Sequence, residues 1–226
     1  GDMPRKLYIF GTGNFAEMAH YLFTEDSGYE VAGFTVDGAY LDRDNFKGLP
    51  VIAWEELRSR ITPEDADLFV AIGVAKINTV RAQRVDQLIG EGWRLASFVH
   101  SSSRVARDLS LGPNTMIMDL VNVHPYVRIG YDTIIWSNSR IALKVAIGNH
   151  CWITSAVIGD SSTIGECSFV GINATIAPFV QIGKHNLIGA GAVITRNTRD
   201  YEVYRGPRSA ASTVTSIRIR NTKMIH

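Results

Sequence analysis

The sequence predicts an α/β plus all-β protein, an N-terminal Rossmann-like parallel sheet followed by a left-handed parallel β-helix built from six-residue repeats. Three observations carry that prediction. Aliphatic residues recur at every sixth position through the second half, strand-like and helix-like runs alternate through the first, and a glycine turn follows the first strand-like run.

In the first half, apolar runs at Leu7 to Phe10, Val31 to Val36, Leu68 to Ile72 and Leu95 to Val99 read as strands of a small parallel sheet. The clearest helix is expected from about Lys76 to Gly90, where Ile77, Val80, Val85, Leu88 and Ile89 fall largely on one face and Gly90 closes the end. Directly after the first strand come Gly11, Thr12, Gly13, Asn14, Phe15 and Ala16. Such a turn leaves N–H groups at a helix start that can hold a phosphate or a sugar hydroxyl, although the glycines can equally just make the turn tight. Asp37 ends the second strand where a Rossmann-type domain places a carboxylate for a ribose hydroxyl; the plainer alternative is a solvated turn residue before Gly38. Together the two features point to a nucleotide or nucleotide-sugar pocket.

In the second half, every sixth position from Val105 gives Leu111, Ile117, Val123, Ile129, Ile135, Ile141, Ile147 and Ile153, then Ile164, Val170, Ile176, Ile182, Ile188 and Ile194. Four places after each of these the residues are small or β-branched, from Thr115, Val121 and Val127 through Val157 to Ala192, with Leu109 and Asn186 as departures. Three hexapeptides make one triangular coil of about 18 residues, so the aliphatic column stacks inward and the small residues fill the narrow core. Between Ile153 and Ile164 one residue is missing, which the reading places near Gly159 and Asp160, and a corner irregularity of this kind often borders a site. The domains expected are residues 1–102, 103–205 and a tail, 206–226, in which Ile217 to Asn221 alternate apolar and basic residues and are expected to add a strand.

Composition narrows the partners. Twenty-three basic against 22 acidic residues give no electrostatic footprint for nucleic acid or an anionic membrane. No apolar run approaches the roughly 18 residues needed to span a bilayer, and no signal pattern opens the sequence, so a cytoplasmic protein is expected. Two cysteines, Cys151 and Cys167, suit a reducing compartment. Gly1 and Asp2 before Met3, and the histidines His20, His100 and His226, suggest no chemistry.

Six segments are distinctive: Gly11-Thr12-Gly13, Gly33-Phe34-Thr35-Val36-Asp37, Phe69-Val70-Ala71-Ile72-Gly73, Phe169 to Thr175, Ile188-Gly189-Ala190-Gly191-Ala192, and Val203-Tyr204-Arg205-Gly206-Pro207. They carry, across nearly the whole chain, a resemblance to the bacterial sugar acyltransferases of the sialic acid O-acetyltransferase and bacillosamine N-acetyltransferase type. It implies a homotrimer with acetyl-CoA or another acyl-CoA lying between neighbouring β-helices, and a nucleotide-linked amino sugar held by the first domain. Carried over residue by residue, the resemblance assigns Trp152, Ile172 and Ala190, with Gly171 and Gly191, to the coenzyme groove. It assigns Gly11, Gly13, Asn14, Phe15 and Asp37 to the sugar nucleotide, and sets Arg208 opposite a coenzyme phosphate or in a solvated tail. Val36 stands where the family often has a second acid.

Acyl transfer from a thioester needs a base, and the family supplies a histidine on the corner before an Ile-Gly step. Here Leu143 occupies that position, Lys144 the next, and Arg140 stands where some relatives carry another histidine. His124, 18 residues before Ala142, should stack one coil away on that corner, and is the surviving candidate base. The plainer reading of His124 is a surface corner histidine before Pro125. His150, Cys167 and His185, 17 and 18 residues apart, should form a column at a subunit interface or in solvent. Three stacked side chains lack the tetrahedral convergence of a zinc site, so no metal is expected. Two functions follow: an acyl-CoA-dependent sugar acyltransferase in surface-polysaccharide or glycan synthesis, or a catalytically impaired homologue that binds a nucleotide sugar or assembles with an active relative.

Overall fold

The computed structural model describes residues 3–225; Gly1, Asp2 and His226 lie outside the described residues. The first domain is built on a mostly parallel five-stranded sheet. Its elements are β1 (Arg5–Phe10), α1 (Asn14–Glu25), β2 (Tyr29–Val36), the hairpin β3 (Asn45–Phe46) and β4 (Leu49–Ala53), α2 (Trp54–Arg60), β5 (Ala66–Val70) and α3 (Thr79–Gly90), with strand order β3-β4-β2-β1-β5. β5 is buried along its whole length, as a strand covered on both faces must be. Leu7, Ile9, Phe34 and Phe69 pack with Phe15, Leu22 and Phe23 of α1, while Phe10, Leu68 and Val70 pack with Trp54, Val85 and Leu88 on the other face.

Two expectations for this domain need correction. α3 begins at Thr79, because Lys76, Ile77 and Asn78 all take left-handed φ values of 50 to 68°, which L-residues rarely adopt in succession. Ile77 therefore lies before the helix and Ile89 is exposed, while Arg81, with no exposure at all, holds the centre of the buried face beside Ala82, Val85 and Leu88. The run Leu95 to Val99 divides: Leu95 makes a single parallel bridge to Leu68, and Phe98–Val99 pairs with Met116–Ile117 as the first strand of the second domain's sheet.

From there two-residue parallel strands stack into sheets of seven, six and four strands, the three walls of a left-handed parallel β-helix. Each inward aliphatic residue sits on its partner one coil on: Ile117 on Ile135, Ile135 on Ile153, Ile153 on Val170, Val170 on Ile188. Along one corner the small inward residues Thr115, Thr133, Cys151 and Ser168 carry a hydroxyl or thiol, and each donates to a carbonyl on the next coil. Thr133 Oγ1 donates to the Gly148 carbonyl at 2.8 Å and Ser168 Oγ to the Gly183 carbonyl at 2.9 Å. Corners are turned by residues in the left-handed conformation at period six, from Asn114 and Leu120 to His150, and then from Ser155 onward.

That break locates the missing residue. The ladder is offset by 17 where Arg140 meets Val157 and Ile141 meets Ile158, so the short corner is Thr154–Ala156, not Gly159 and Asp160. In consequence Ala156 fills the core and Val157 is exposed, the reverse of the period-six reading. The tail also differs: the last strand is Val203–Tyr204 on Leu187–Ile188, whereas Ser216–Arg218 is a single 3-10 turn with Ile217 exposed.

The two domains are joined through buried polar groups. Asn114 docks its carboxamide on β5 as a strand would, accepting from the Val70 N–H at 2.7 Å and donating to the Val70 carbonyl at 3.1 Å. Asp132, fully buried on the next coil, takes the Asn114 Nδ2 at 2.9 Å, the Arg81 Nε at 2.9 Å and the His150 Nδ1 at 2.7 Å. Arg81 spends its remaining donors on Asn78 Oδ1 and the carbonyls of Gly73, Asp132 and His150. Asn78 reaches on to the Cys167 and Ser168 carbonyls, and this tie holds the left-handed segment before α3. His150 and Cys167 therefore face the first domain and are buried, and only His185, stacked flat on Tyr201, continues the column outward. Breaking such a pair strands a buried charge, so Arg81→Met should lower the free energy of urea unfolding by about 3–5 kcal/mol; a loss under 1 kcal/mol would show that the network contributes little.

Candidate functional site

The Gly11 turn follows β1 because Gly11 takes φ +127° and stands against β5: a Cβ there would lie 2.6 Å from the Ala71 carbonyl oxygen. Its own N–H donates to the Thr35 carbonyl at 2.8 Å, which tucks the turn between β2 and β5. Gly13 is the N-cap of α1 with no side-chain cap, so the first N–H groups of this 12-residue helix face the turn.

Two cavities open on either side of the turn and share Gly11 and Ile72 in their walls. One, of about 350 Å³, is bordered by Asp37, Tyr40, Gln83, Arg84 and Gln87. Asp37 is brought to the glycine turn as expected, but its carboxylate is taken up by Arg84, whose guanidinium also lies 4.7 Å over the Phe10 ring. The other, of about 470 Å³, runs from Gly11 to Phe15 on one side to Trp136 and Trp152 on the other. It is a junction cavity, walled by both domains.

Trp152 therefore does not stand in the groove with Ile172 and Ala190. It lies on the face of the seven-stranded sheet, 7% exposed, with its ring 4.9 Å from Phe15, 5.5 Å from Trp136 and 5.3 Å from the Arg81 guanidinium. Ile172 and Ala190 are exposed on one corner of the β-helix, where the Gly191 N–H donates to the Ile172 carbonyl at 2.8 Å. Gly171 and Gly206 permit that corner: a Cβ on Gly171 would meet Ala190 N at 2.8 Å, and one on Gly206 would collide with the Ala190 carbonyl oxygen. Arg208 follows in the exposed tail.

His124 sits on a different corner. Its N–H donates to the Ile141 carbonyl at 2.9 Å, and its half-buried side chain borders an open cleft of about 590 Å³ with Arg104, Arg107 and Asn122. Leu143 takes the next coil of that corner, its N–H on Asp160 Oδ1 at 3.2 Å, with Lys144 exposed beside it. Within one chain His124 thus lies on a different edge of the β-helix from Ile172 and Ala190, which share the corner between the seven- and six-stranded sheets with Trp136 of the junction cavity. Burial pushes the thiols of Cys151 and Cys167 up to about 12 and about 11, which holds both protonated.

Sequence reasoning missed Arg81, Asn114, Asp132 and Trp136. An arginine on the apolar stripe of α3, and polar residues at left-handed corner positions 18 apart, were the available signals. The two turn glycines give a paired test. Gly13 has open space around its Cβ position, so Gly13→Ala should leave stability within about 1 kcal/mol, whereas Gly11→Ala should cost about 2–3 kcal/mol through strain and collision. Thermal unfolding of both variants checks this, and equal melting temperatures would contradict it.

Comparison with known proteins places this geometry. The PglD N-terminal domain matches residues 6–88 and the bacterial transferase hexapeptide (six repeats) matches residues 155–196. Among curated proteins, the bifunctional protein GlmU of Thermotoga maritima is 26% identical over 161 residues, 49% of this chain and 36% of its own. The 2,3,4,5-tetrahydropyridine-2,6-dicarboxylate N-succinyltransferase of Xylella fastidiosa is 26% identical over 161 residues, 67% of this chain and 50% of its own. The chain thus spans between about a third and a half of the length of these relatives. Among solved structures, the acetyltransferase domain of PglB from Neisseria gonorrhoeae superposes with a TM-score of 0.78 at 21% identity, over 89% of this chain and 97% of that one. The GDP-perosamine N-acetyl transferase of Caulobacter crescentus, in a histidine-to-alanine variant bound to CoA and GDP-perosamine, gives 0.64 at 22% identity over 89% and 93%. The chain thus joins a first domain that matches the PglD N-terminal domain to a second that carries bacterial transferase hexapeptide repeats.

Proposed function

We propose that this chain, as a homotrimer in the cytoplasm, transfers an acyl group, acetyl foremost, from acyl-CoA to an amino or hydroxyl group of a nucleotide-linked amino sugar. The observation that carries the reading is the pair of cavities on either side of the Gly11 turn, which together offer a base-sized slot, helix N–H groups for a diphosphate, and a chamber opening onto the β-helix. Relatives of the same fold bear on the ligands, since one is solved with CoA and GDP-perosamine and another with acetyl coenzyme A. Surface-polysaccharide or glycan synthesis is the setting such a product suits.

In this reading Gly11, Gly13, Asn14 and Phe15 receive the sugar nucleotide, and Asp37 reaches its ribose once Arg84 yields. Ile172, Ala190, Gly171 and Gly191 present the corner for the coenzyme, and Arg208 faces one of its phosphates. The trimer is needed because His124 and the glycine turn lie on different edges of one chain: a neighbouring copy brings its corner to this chain's cavity. His124 is then the base that takes the proton from the attacking amine or hydroxyl as the thioester carbonyl is attacked and coenzyme A leaves as its thiol. Proximity alone supplies a large part of such a rate, so a displaced base gives a slower enzyme.

Leu143 favours a second reading, a homologue that binds the nucleotide sugar or assembles with an active relative without turnover. Calorimetric titration with acetyl-CoA separates the two: saturable binding of one molecule per subunit is expected, and no binding at millimolar ligand would overturn the acyltransferase reading. With an acceptor in hand, His124→Ala should lower kcat by about 10² or more while leaving acetyl-CoA affinity unchanged. Unchanged turnover would remove His124 from the mechanism.

A further inference from the structure

We propose that Phe15, Trp136 and Trp152 form the seat for the sugar ring of the nucleotide-linked substrate, and that Trp136 is the residue that selects that ring. The inference rests on the nucleotide-sugar reading above and adds to it a direction and a contact.

The direction comes from the two cavities. The slot at Asp37 and Arg84 lies on one side of Gly11, the unpaired N–H groups at the start of α1 lie at the turn, and the open pocket bordered by Trp136 lies beyond them. A nucleoside diphosphate lying with its base at Arg84 and its phosphates at Gly13 and Asn14 extends its sugar toward the aromatic rings.

The contact comes from their chemistry. Phe15 and Trp136 are 6.1 Å apart and tilted, Trp136 and Trp152 5.5 Å and tilted, and Phe15 meets Trp152 edge-on at 4.9 Å. The three rings border one pocket, with half-buried Trp136 the most open of them, and the electron-rich face of an indole attracts the C–H groups of a pyranose's apolar face. Opposite the glycine turn, whose Thr12 and Asn14 supply the polar groups of the wall, the pocket is bordered by Ala71, Ile72, Gly73 and Val74, so stacking on the rings carries the contact with the sugar's apolar face.

A second, independent observation points to a missing ligand at the same place. Trp136 Nε1 and Thr154 Oγ1 are buried without a hydrogen-bond partner. They stand one coil apart on one corner: the Trp136 backbone N–H donates to the Ile153 carbonyl beside Thr154 at 2.8 Å. This is also the corner that lost a residue at Thr154–Ala156. A buried donor without a partner is unfavourable, and a turn of the Trp136 ring toward the pocket would let its indole N–H reach a sugar oxygen.

The test is done on the full chain by calorimetry and by tryptophan fluorescence. The probes are UDP, GDP and dTDP, and their sugar-linked forms UDP-N-acetylglucosamine, GDP-mannose and dTDP-glucose. For the nucleotide that binds, the sugar-linked form should bind roughly tenfold tighter than the bare diphosphate and change the tryptophan emission. Trp136→Ala should abolish that difference while leaving the diphosphate affinity unchanged, which also reports that the variant is folded. Trp136→Phe, which keeps the stacking and loses the N–H, should retain part of it. Equal affinity for diphosphate and sugar-linked forms in the unaltered protein, or a difference that survives in Trp136→Ala, would overturn this proposal alone. Failure of every probe to bind would overturn the nucleotide-sugar reading and this proposal with it.

Discussion

One buried charge pair sets the relation between the two halves of the molecule. Arg81 and Asp132 meet at 2.9 Å with neither exposed to solvent, and taking both out of water is tolerable because the remaining Arg81 donors are engaged and both Asp132 oxygens accept hydrogen bonds. Asp132 sits at a β-helix corner, held also by Asn114 and His150, and Arg81 sits in the middle of α3. The pair therefore fixes the helix and the edge of β5 to one particular coil. Neither domain could slide along the other without stranding a charge.

The consequence for the site is direct. The Gly11 turn is pinned to β5 through Ala71, and β5 is pinned to the β-helix through Asn114, so the turn is held at a set distance from Trp136 and Trp152. Arg81 also lies against the Trp152 ring and supports the wall from behind. The junction chamber is in this sense a product of the clasp, and its shape is set by residues that do not line it.

The β-helix was legible in the sequence because a repeat states the same constraint many times over. One column of aliphatic residues every six positions leaves little choice of fold, and Ile117, Ile135, Ile153, Val170 and Ile188 do stack as that period requires. The exact corner of the lost residue was not legible, since a spacing of eleven between Ile153 and Ile164 fits a short turn on either side of Ile158. The glycine turn and Asp37 were readable from local chemistry alone. The clasp was not: Arg81 falls on the apolar stripe of α3 with Val85 and Leu88, but nothing local says which carboxylate, here 51 positions on, is brought to meet it. Trp152 was read toward the coenzyme because a resemblance carries a residue's position in a motif, whereas its side chain's direction depends on which wall of the helix the other domain covers.

On the proposed function, the nucleotide-sugar site is shared between the two domains and depends on their being locked together. Hydrogen exchange followed by mass spectrometry, with and without a saturating nucleotide sugar, tests it most directly. The account predicts that the ligand slows exchange in the Gly11–Ala16 segment and, together with it, in the β-helix segment from Ile134 to Thr154. Protection confined to the first domain, with the Trp136 and Trp152 segments unchanged, would contradict it.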